Sequence, residues 1–192
     1  MRLHFYTSKK ILSTVAAIIV FVLVIAPHFS QGVQARSAKE IDVSVDVALN
    51  RFKNEVPGAN EFLSNAKGVL VIPNVIRVGF VIGGEYGEGA LLVGGKTVDY
   101  YSVAAGSFGF QIGAQSKNII LVFMEENALT KFRDSLGWTA GIDGSVAFID
   151  YGAGRSVDTD NLRDPIVGFV FGVKGLMANL SLEGSKFTKL TK

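Results

Sequence analysis

Val78-Gly79-Phe80-Val81-Ile82-Gly83 sets Val78, Phe80 and Ile82 in alternation with Gly79, Val81 and Gly83. Its core, Gly79-Phe80 with Gly83 four positions on, returns as Gly109-Phe110 with Gly113, Gly137-Trp138 with Gly141 and Gly168-Phe169 with Gly172, at spacings of 30, 28 and 31 residues. Each copy leads through a turn-like stretch to an apolar run: Ala90-Leu91-Leu92-Val93, Ile119 to Phe123, Val146 to Ile149, and Leu176-Met177. Strand, turn and strand written four times over read as a β-hairpin repeated within one domain. Glycine weakens a strand interior, so its recurrence marks curvature, a bulge or a close backbone approach. The expected sheet is a curved antiparallel one of about eight to ten strands, closing toward a barrel or sandwich and so removing exposed edges.

Outward from this core the pattern changes. Ile41, Val45, Ala48, Leu49, Phe52 and Val56 fall on one helical face, with Arg51, Lys53, Asn54 and Glu55 opposite. Val43 and Val47 also permit a strand, but the polar side favours a helix from Ser37 to about Glu55. Pro57 ends it and suits the start of a second helix through Phe62 and Leu63, stopping at Gly68. Val69 to Pro73 reads as a short strand of its own. Glu125-Glu126 ahead of Ala128, Leu129, Phe132 and Leu136, with Lys131 and Arg133 late and Gly137 as a stop, marks one inserted helix. Tyr151 to Pro165 reads as a long polar loop. The fold class expected is α+β: two N-terminal helices, the curved sheet and the inserted helix.

Residues 1–35 carry targeting features. Arg2, Lys9 and Lys10 precede an apolar run from Ile11 to Ala26, Pro27 ends it, and Val33-Gln34-Ala35 resembles a cleavage site. The expectation is a secretory signal peptide over 1–35 followed by one domain over 36–192. The alternative, an uncleaved anchor, is disfavoured by a run of 16 residues, since spanning needs roughly 20. Both histidines, His4 and His28, lie in the leader. Residues 36–192 then have neither His nor Cys and a formal charge of −1, from 16 Lys and Arg against 17 Asp and Glu. That composition excludes thiol nucleophiles, Ser-His-Asp triads and imidazole metal ligands in the exported form, and it offers no basic stripe for nucleic acid. Stability there rests on packing without disulfides.

Ala90 to Thr97 differs from a phosphate-binding loop by one residue, but strand formers follow Lys96 where a helix is required, so Gly94-Gly95 reads as a hairpin turn. Asp158 to Asn161 begins like a calcium loop, yet Arg163 and Phe169 occupy positions that need Gly and Glu. No cofactor and no metal are expected. Glu85, Glu88 and Asp99 flank the first glycine-rich hairpin and are the candidates for a carboxylate-based hydrolase. The simpler reading makes two of them turn borders and the third a strand's polar side.

Four stretches carry a resemblance: Ala66-Lys67-Gly68-Val69-Leu70-Val71-Ile72-Pro73, Gly83-Gly84-Glu85-Tyr86-Gly87-Glu88-Gly89-Ala90-Leu91-Leu92-Val93, Gln111-Ile112-Gly113-Ala114-Gln115, and the run Gly172 to Lys186. Across about residues 38 to 190 the chain resembles the SYLF domain family. The resemblance implies lipid binding without catalytic residues. In eukaryotic relatives an N-terminal amphipathic helix helps to bind phosphoinositide-rich membranes, and fungal members bind actin and associate with SH3 modules. Bacterial members are generally exported single domains. No SH3 module is visible in these 192 residues, and a leader sends the chain where actin is not expected.

The function expected is therefore a non-enzymatic lipid-binding or membrane-surface-binding module of the bacterial envelope, periplasmic or secreted, peripheral to the membrane. Arg51, Lys53, Lys67, Lys174 and Lys186 are the expected contacts to anionic phospholipid headgroups, with Phe52 and Val56 as membrane-facing apolar residues. A helix that merely covers the sheet explains the same pattern. The alternative function is an envelope protein–protein interaction, using the loop around Asp158 to Arg163.

Overall fold

Ser37 opens the first helix with a reciprocal cap. Its side chain accepts from the Glu40 amide at 3.3 Å, while its own amide donates to Glu40 Oε2 at 2.8 Å. In this computed structural model, which describes residues 36–79, 82–108, 113–150, 163–175 and 181–192, that helix is α1 (Ala38–Glu55). Gly58, at φ 77°, turns the chain into α2 (Ala59–Asn65), and Pro57 lies in the connection rather than in the helix. Eight strands follow: β1 (Gly68–Gly79), β2 (Ile82–Val93), β3 (Lys96–Phe108), β4 (Gly113–Phe123), β5 (Trp138–Thr139), β6 (Ala147–Asp150), β7 (Ile166–Lys174) and β8 (Lys186–Leu190). The inserted helix, α3 (Glu126–Asp134), lies between β4 and β5. The leader, the loop over 151–162 and the Gly-Phe steps at Phe80 and Gly109-Phe110 lie outside the described residues.

The strands make one sheet in the order β5-β8-β3-β2-β1-β4-β7-β6, curled into a half-barrel. β1–β2 and β2–β3 are successive hairpins, the latter turning at Gly94-Gly95. β4 then returns to the free side of β1, and β8 joins β3. The sheet is mixed rather than wholly antiparallel, because β6 runs parallel to β7. Parallel neighbours need a crossover of a dozen residues or more, which the long segment between Asp150 and Ile166 supplies. Among the described residues the Gly-aromatic steps sit in unlike settings: Gly79 ends β1, Gly137-Trp138 leads into the two-residue β5, and Gly168-Phe169 lies inside β7.

Chain reach requires the curl. β5 and β6 are the two edges, yet only residues 140–146 separate them in sequence. Eight strands laid flat span about 34 Å at roughly 4.8 Å per strand. A fully extended link of that length covers at most about 28 Å, and this one is shortened by the Ala140–Gly144 bridge. The edges therefore bend toward each other around the cluster of Leu70, Ile72, Tyr101, Val103, Leu121, Phe123, Phe132, Trp138 and Phe187, in which Ala140 packs. We call this side the inner face.

On the outer face lie α1 and α2. Ile41, Val45, Ala48 and Phe52 of α1 and Phe62 of α2 close over Val71, Ala90, Leu92, Ile120, Val122, Val167, Phe169 and Phe171. Both faces thus carry core.

Two bulges produce much of the bend. β1 is one continuous strand despite Pro73, because an extra residue is accommodated between Ile72 and Val75, where the missing proline amide costs no ladder bond. Asn74 takes φ 52° there. β7 bulges between Phe171 and Lys174, with Gly172 at φ 62°. The buried Asn118 serves both: Oδ1 accepts from the Asn74 amide at 3.1 Å and Nδ2 donates to the Phe171 carbonyl at 3.3 Å. At Gly172 a Cβ would stand 2.8 Å from both Asn118 Nδ2 and an Arg51 guanidinium nitrogen.

Candidate functional site: the uncovered half of the outer face

Strand register assigns every side chain of the long strands to a face. Directly opposed residues run Lys174–Ser116–Ile76–Tyr86–Ala104–Lys186, one outer-face row crossing six strands from β7 to β8. The next row toward the β1–β2 tip is Ala114–Val78–Gly84–Gly106, and Ile82 follows on β2. Neither helix covers these rows. Ile76, Val78 and Ile82 are 56%, 52% and 69% exposed, and Tyr86 is 47% exposed. A Cβ at Gly84 or Gly106 would meet nothing within 4 Å. The result is an apolar strip with a lysine at each end.

The strip's inner border toward the helices is polar and tied. Tyr86 Oη donates to Glu88 Oε1 at 2.8 Å, and Lys192 Nζ donates to Glu88 Oε2 at 3.1 Å and to the Arg36 carbonyl at 2.6 Å. Burial of the hydroxyl, aided by that carboxylate, pushes the Tyr86 phenol up to about 12. From this border α1 crosses the sheet diagonally. Asp42 accepts from Thr97 Oγ1 at 3.0 Å and Tyr100 Oη at 2.9 Å near one end, and Arg51 reaches Gly172 near the other.

The residues expected to bind lipid separate into groups. Lys174 and Lys186 close the strip's two ends. Arg51 sits beside the β7 bulge, paired with Glu55 at 2.8 Å, and that hydrogen bond raises its guanidinium above the ordinary value. Lys53 is exposed on the last turn of α1. Lys67 does not join them: its amide donates to the Phe123 carbonyl at the start of β1, about 30 Å from Ile76 at roughly 3.3 Å per strand residue.

Phe52 and Val56 are core, which corrects their reading as membrane-facing. The Phe52 ring is 0% exposed and lies 4.9 Å from Phe169 and 5.4 Å from Phe171. An amphipathic helix beside an apolar sheet lowers its free energy most by burying that face there. The apolar pair that α1 turns outward is Val43 and Val47.

The three carboxylates do not converge. Glu88 points to the outer face and is held by Tyr86 and Lys192, whereas Glu85 points inward and pairs with Lys117 at 2.8 Å. Asp99 lies near the opposite end of the sheet with Arg133 at 3.0 Å and Lys189 at 2.6 Å. The Asp158 to Asn161 segment lies outside the described residues. Among the described residues no helix is long and apolar enough to cross a membrane.

Sequence reasoning missed Ile76, Val78, Ile82 and Tyr86 as a surface. The alternation of Val78 and Ile82 with glycine was visible, but the face left bare depends on where the helices stop. No curated protein matches the chain. Residues 104–192, the part running from mid-β3 to the end of β8, match the family model described as Ysc84: Las17-binding protein actin regulator. Together with the motifs over the remainder, this match supports the resemblance to the SYLF domain family.

Proposed function

We propose that this protein is a non-enzymatic module of the bacterial cell envelope, exported and peripheral to the membrane, that binds anionic phospholipid surfaces through the uncovered half of its outer sheet face. The observation that carries this reading is the Ile76–Val78–Ile82–Tyr86 strip bounded by Lys174 and Lys186. Exposed apolar side chains gain by entering the headgroup boundary, and basic residues at the rim add attraction to anionic lipid. Ile76, Val78 and Tyr86 stand on strands already paired in the sheet, so little backbone ordering accompanies insertion. Arg51 and Lys53 contribute from the β7 side.

Sedimentation of the 36–192 form with vesicles of increasing phosphatidylglycerol content tests the proposal. Each lysine near an anionic surface contributes about 1 kcal/mol, so removing both in Lys174→Gln/Lys186→Gln lowers affinity about 30-fold. Ile82→Asp lowers it on neutral and anionic vesicles alike. Unchanged binding of both variants overturns the assignment of this surface. A dominant protein adduct on cross-linking in whole cells, with no vesicle binding, would instead favour the envelope protein-interaction reading.

A further inference from the structure

The bare half of the outer face is a ridge rather than a plane. Its bulky side chains stand on the two middle strands: Ile76 and Tyr86 in one row, Val78 in the next, and Ile82 beyond. The flanking strands carry only small residues there, Ser116 and Ala114 on β4 and Ala104 and Gly106 on β3. A Cβ at Gly106 would meet nothing within 4 Å, so the β3 flank is open. In the first row Lys174 and Lys186 come one strand further out on either side. Exposure is lowest at Tyr86, 47%, beside the polar border toward the helices, and highest at Ile82, 69%, toward the β1–β2 turn. The crest therefore stands clearest away from α1.

The curl of the sheet sharpens the ridge. The inner cluster fills the concave side of the half-barrel, so the outer face is the convex one. Eight strands at roughly 4.8 Å per spacing, bent through about half a circle, give a radius of about 11 Å. Lys174 and Lys186, each two strands from the ridge, are then set back from its crest by about 6 Å. An apolar surface lying in a membrane interface reaches about 5–10 Å into the boundary between headgroups and acyl chains. With the crest at that depth, the set-back lysines hold their ammonium groups at the level of the phosphates. Neither row carries a carboxylate, so a second copy laid on this face would set lysine against lysine, whereas an anionic leaflet complements both ends. The ridge is about 13 Å long, from Tyr86 to Ile82 at roughly 3.3 Å per residue, and one strand spacing wide. So narrow an insert needs room between headgroups. A tightly packed flat leaflet must open that room, whereas a strongly convex leaflet already holds its headgroups apart.

We infer that the ridge is a shallow wedge, by which the protein selects convex, loosely packed anionic membranes over flat ones of the same composition. The inference rests on the membrane reading proposed above. Val78 and Ile82 on the crest set the preference for curvature, and Lys174 and Lys186 set the response to charge.

The test varies vesicle size at fixed composition, with the protein purified in the form that expressing cells accumulate. Mixed phosphatidylcholine and phosphatidylglycerol vesicles of about 30 nm diameter are expected to bind it about tenfold more tightly, per accessible lipid, than vesicles of about 200 nm. Val78→Ser/Ile82→Ser should bring that ratio to about one and leave weak binding that grows with phosphatidylglycerol content. Lys174→Gln/Lys186→Gln should weaken binding to both sizes alike and keep the ratio. Both crest positions are more than half exposed, so the crest variant is expected to fold, which urea unfolding checks. Equal affinity of the unaltered protein for the two sizes overturns the wedge while the membrane reading stands. A size preference that survives Val78→Ser/Ile82→Ser overturns it too. Absence of binding to either size overturns the membrane reading, and the wedge with it.

Discussion

The outer face of the sheet consists of two halves built from the same residue types. In the covered half Val71, Ala90, Ile120 and Phe169 lie beneath α1 and α2 and are buried. In the bare half Ile76, Val78 and Ile82 continue the same strands and face outward. Side-chain chemistry does not separate them; the reach of an 18-residue helix does. The comparison teaches that an apolar alternation specifies a face but not its occupant. One half has its partner within the chain and the other keeps an apolar surface available to a partner outside it.

The sharpest way to test this division is to remove its central side chain. Phe52→Ala takes a fully buried ring from between Phe169 and Phe171 and is expected to cost about 4 kcal/mol in denaturant unfolding. A cost below about 1 kcal/mol would mean that the helix does not cover the sheet as described. Asn118→Ala removes the amide that joins the bulges of β1 and β7, with an expected loss of about 2 kcal/mol. Loss of hydrogen-exchange protection at Asn74 should accompany it.

Two phenols compare the bare half of the outer face with the inner face by titration. Tyr86 in the bare half and Tyr101 on the inner face are both pushed up to about 12, chiefly by burial of their hydroxyls, with Glu88 assisting for the first and Asp99 for the second. Arg133 partly opposes the shift at Tyr101. Because each folded value lies above the ordinary 10, the contribution is complete below pH 10 and is lost as pH rises through about 12. Phenolate absorbance should show Tyr86 and Tyr101 ionising late, and Tyr86→Phe should remove one late step. The smallest stability effect belongs to the bare strip. Ile76→Ser should change unfolding free energy by no more than about 0.5 kcal/mol, since the side chain is already half exposed. If that variant destabilises as much as Asn118→Ala, Ile76 has an internal partner and the two halves are alike.

Local signals were legible where one residue decides one event. Ser37 marked the start of the α1 pattern, Gly94-Gly95 the β2–β3 turn, and Glu126 with Lys131 and Arg133 the polarity of α3. Pro73 misled because a proline inside a strand usually breaks it, and only the bulge beside Asn74 makes it tolerable. Phe52 misled because an amphipathic face fits a sheet as well as a bilayer. Lys174 and Lys186 were singled out separately, but their common row was hidden. They are joined by register through four intervening strands, including one-residue shifts that reverse which side chains point outward. The Glu85–Lys117 pair depends on the same long-range register, and Lys117 drew no notice as a single residue in β4.

The placement of β8 also bears on the order in which the molecule forms. Tyr100 on β3 pairs with Leu190, and Lys192 reaches back to the Arg36 carbonyl. The hairpins β1–β2 and β2–β3 close over short loops and can assemble early, whereas the β3 edge waits for β8, the strand of the sheet that comes latest in sequence. Pairing between such distant segments slows folding, because loop entropy is lost before contacts repay it. Until β8 arrives, β3 presents an open edge, so the final strand sets both the time at which folding completes and the interval during which the chain is vulnerable to aggregation.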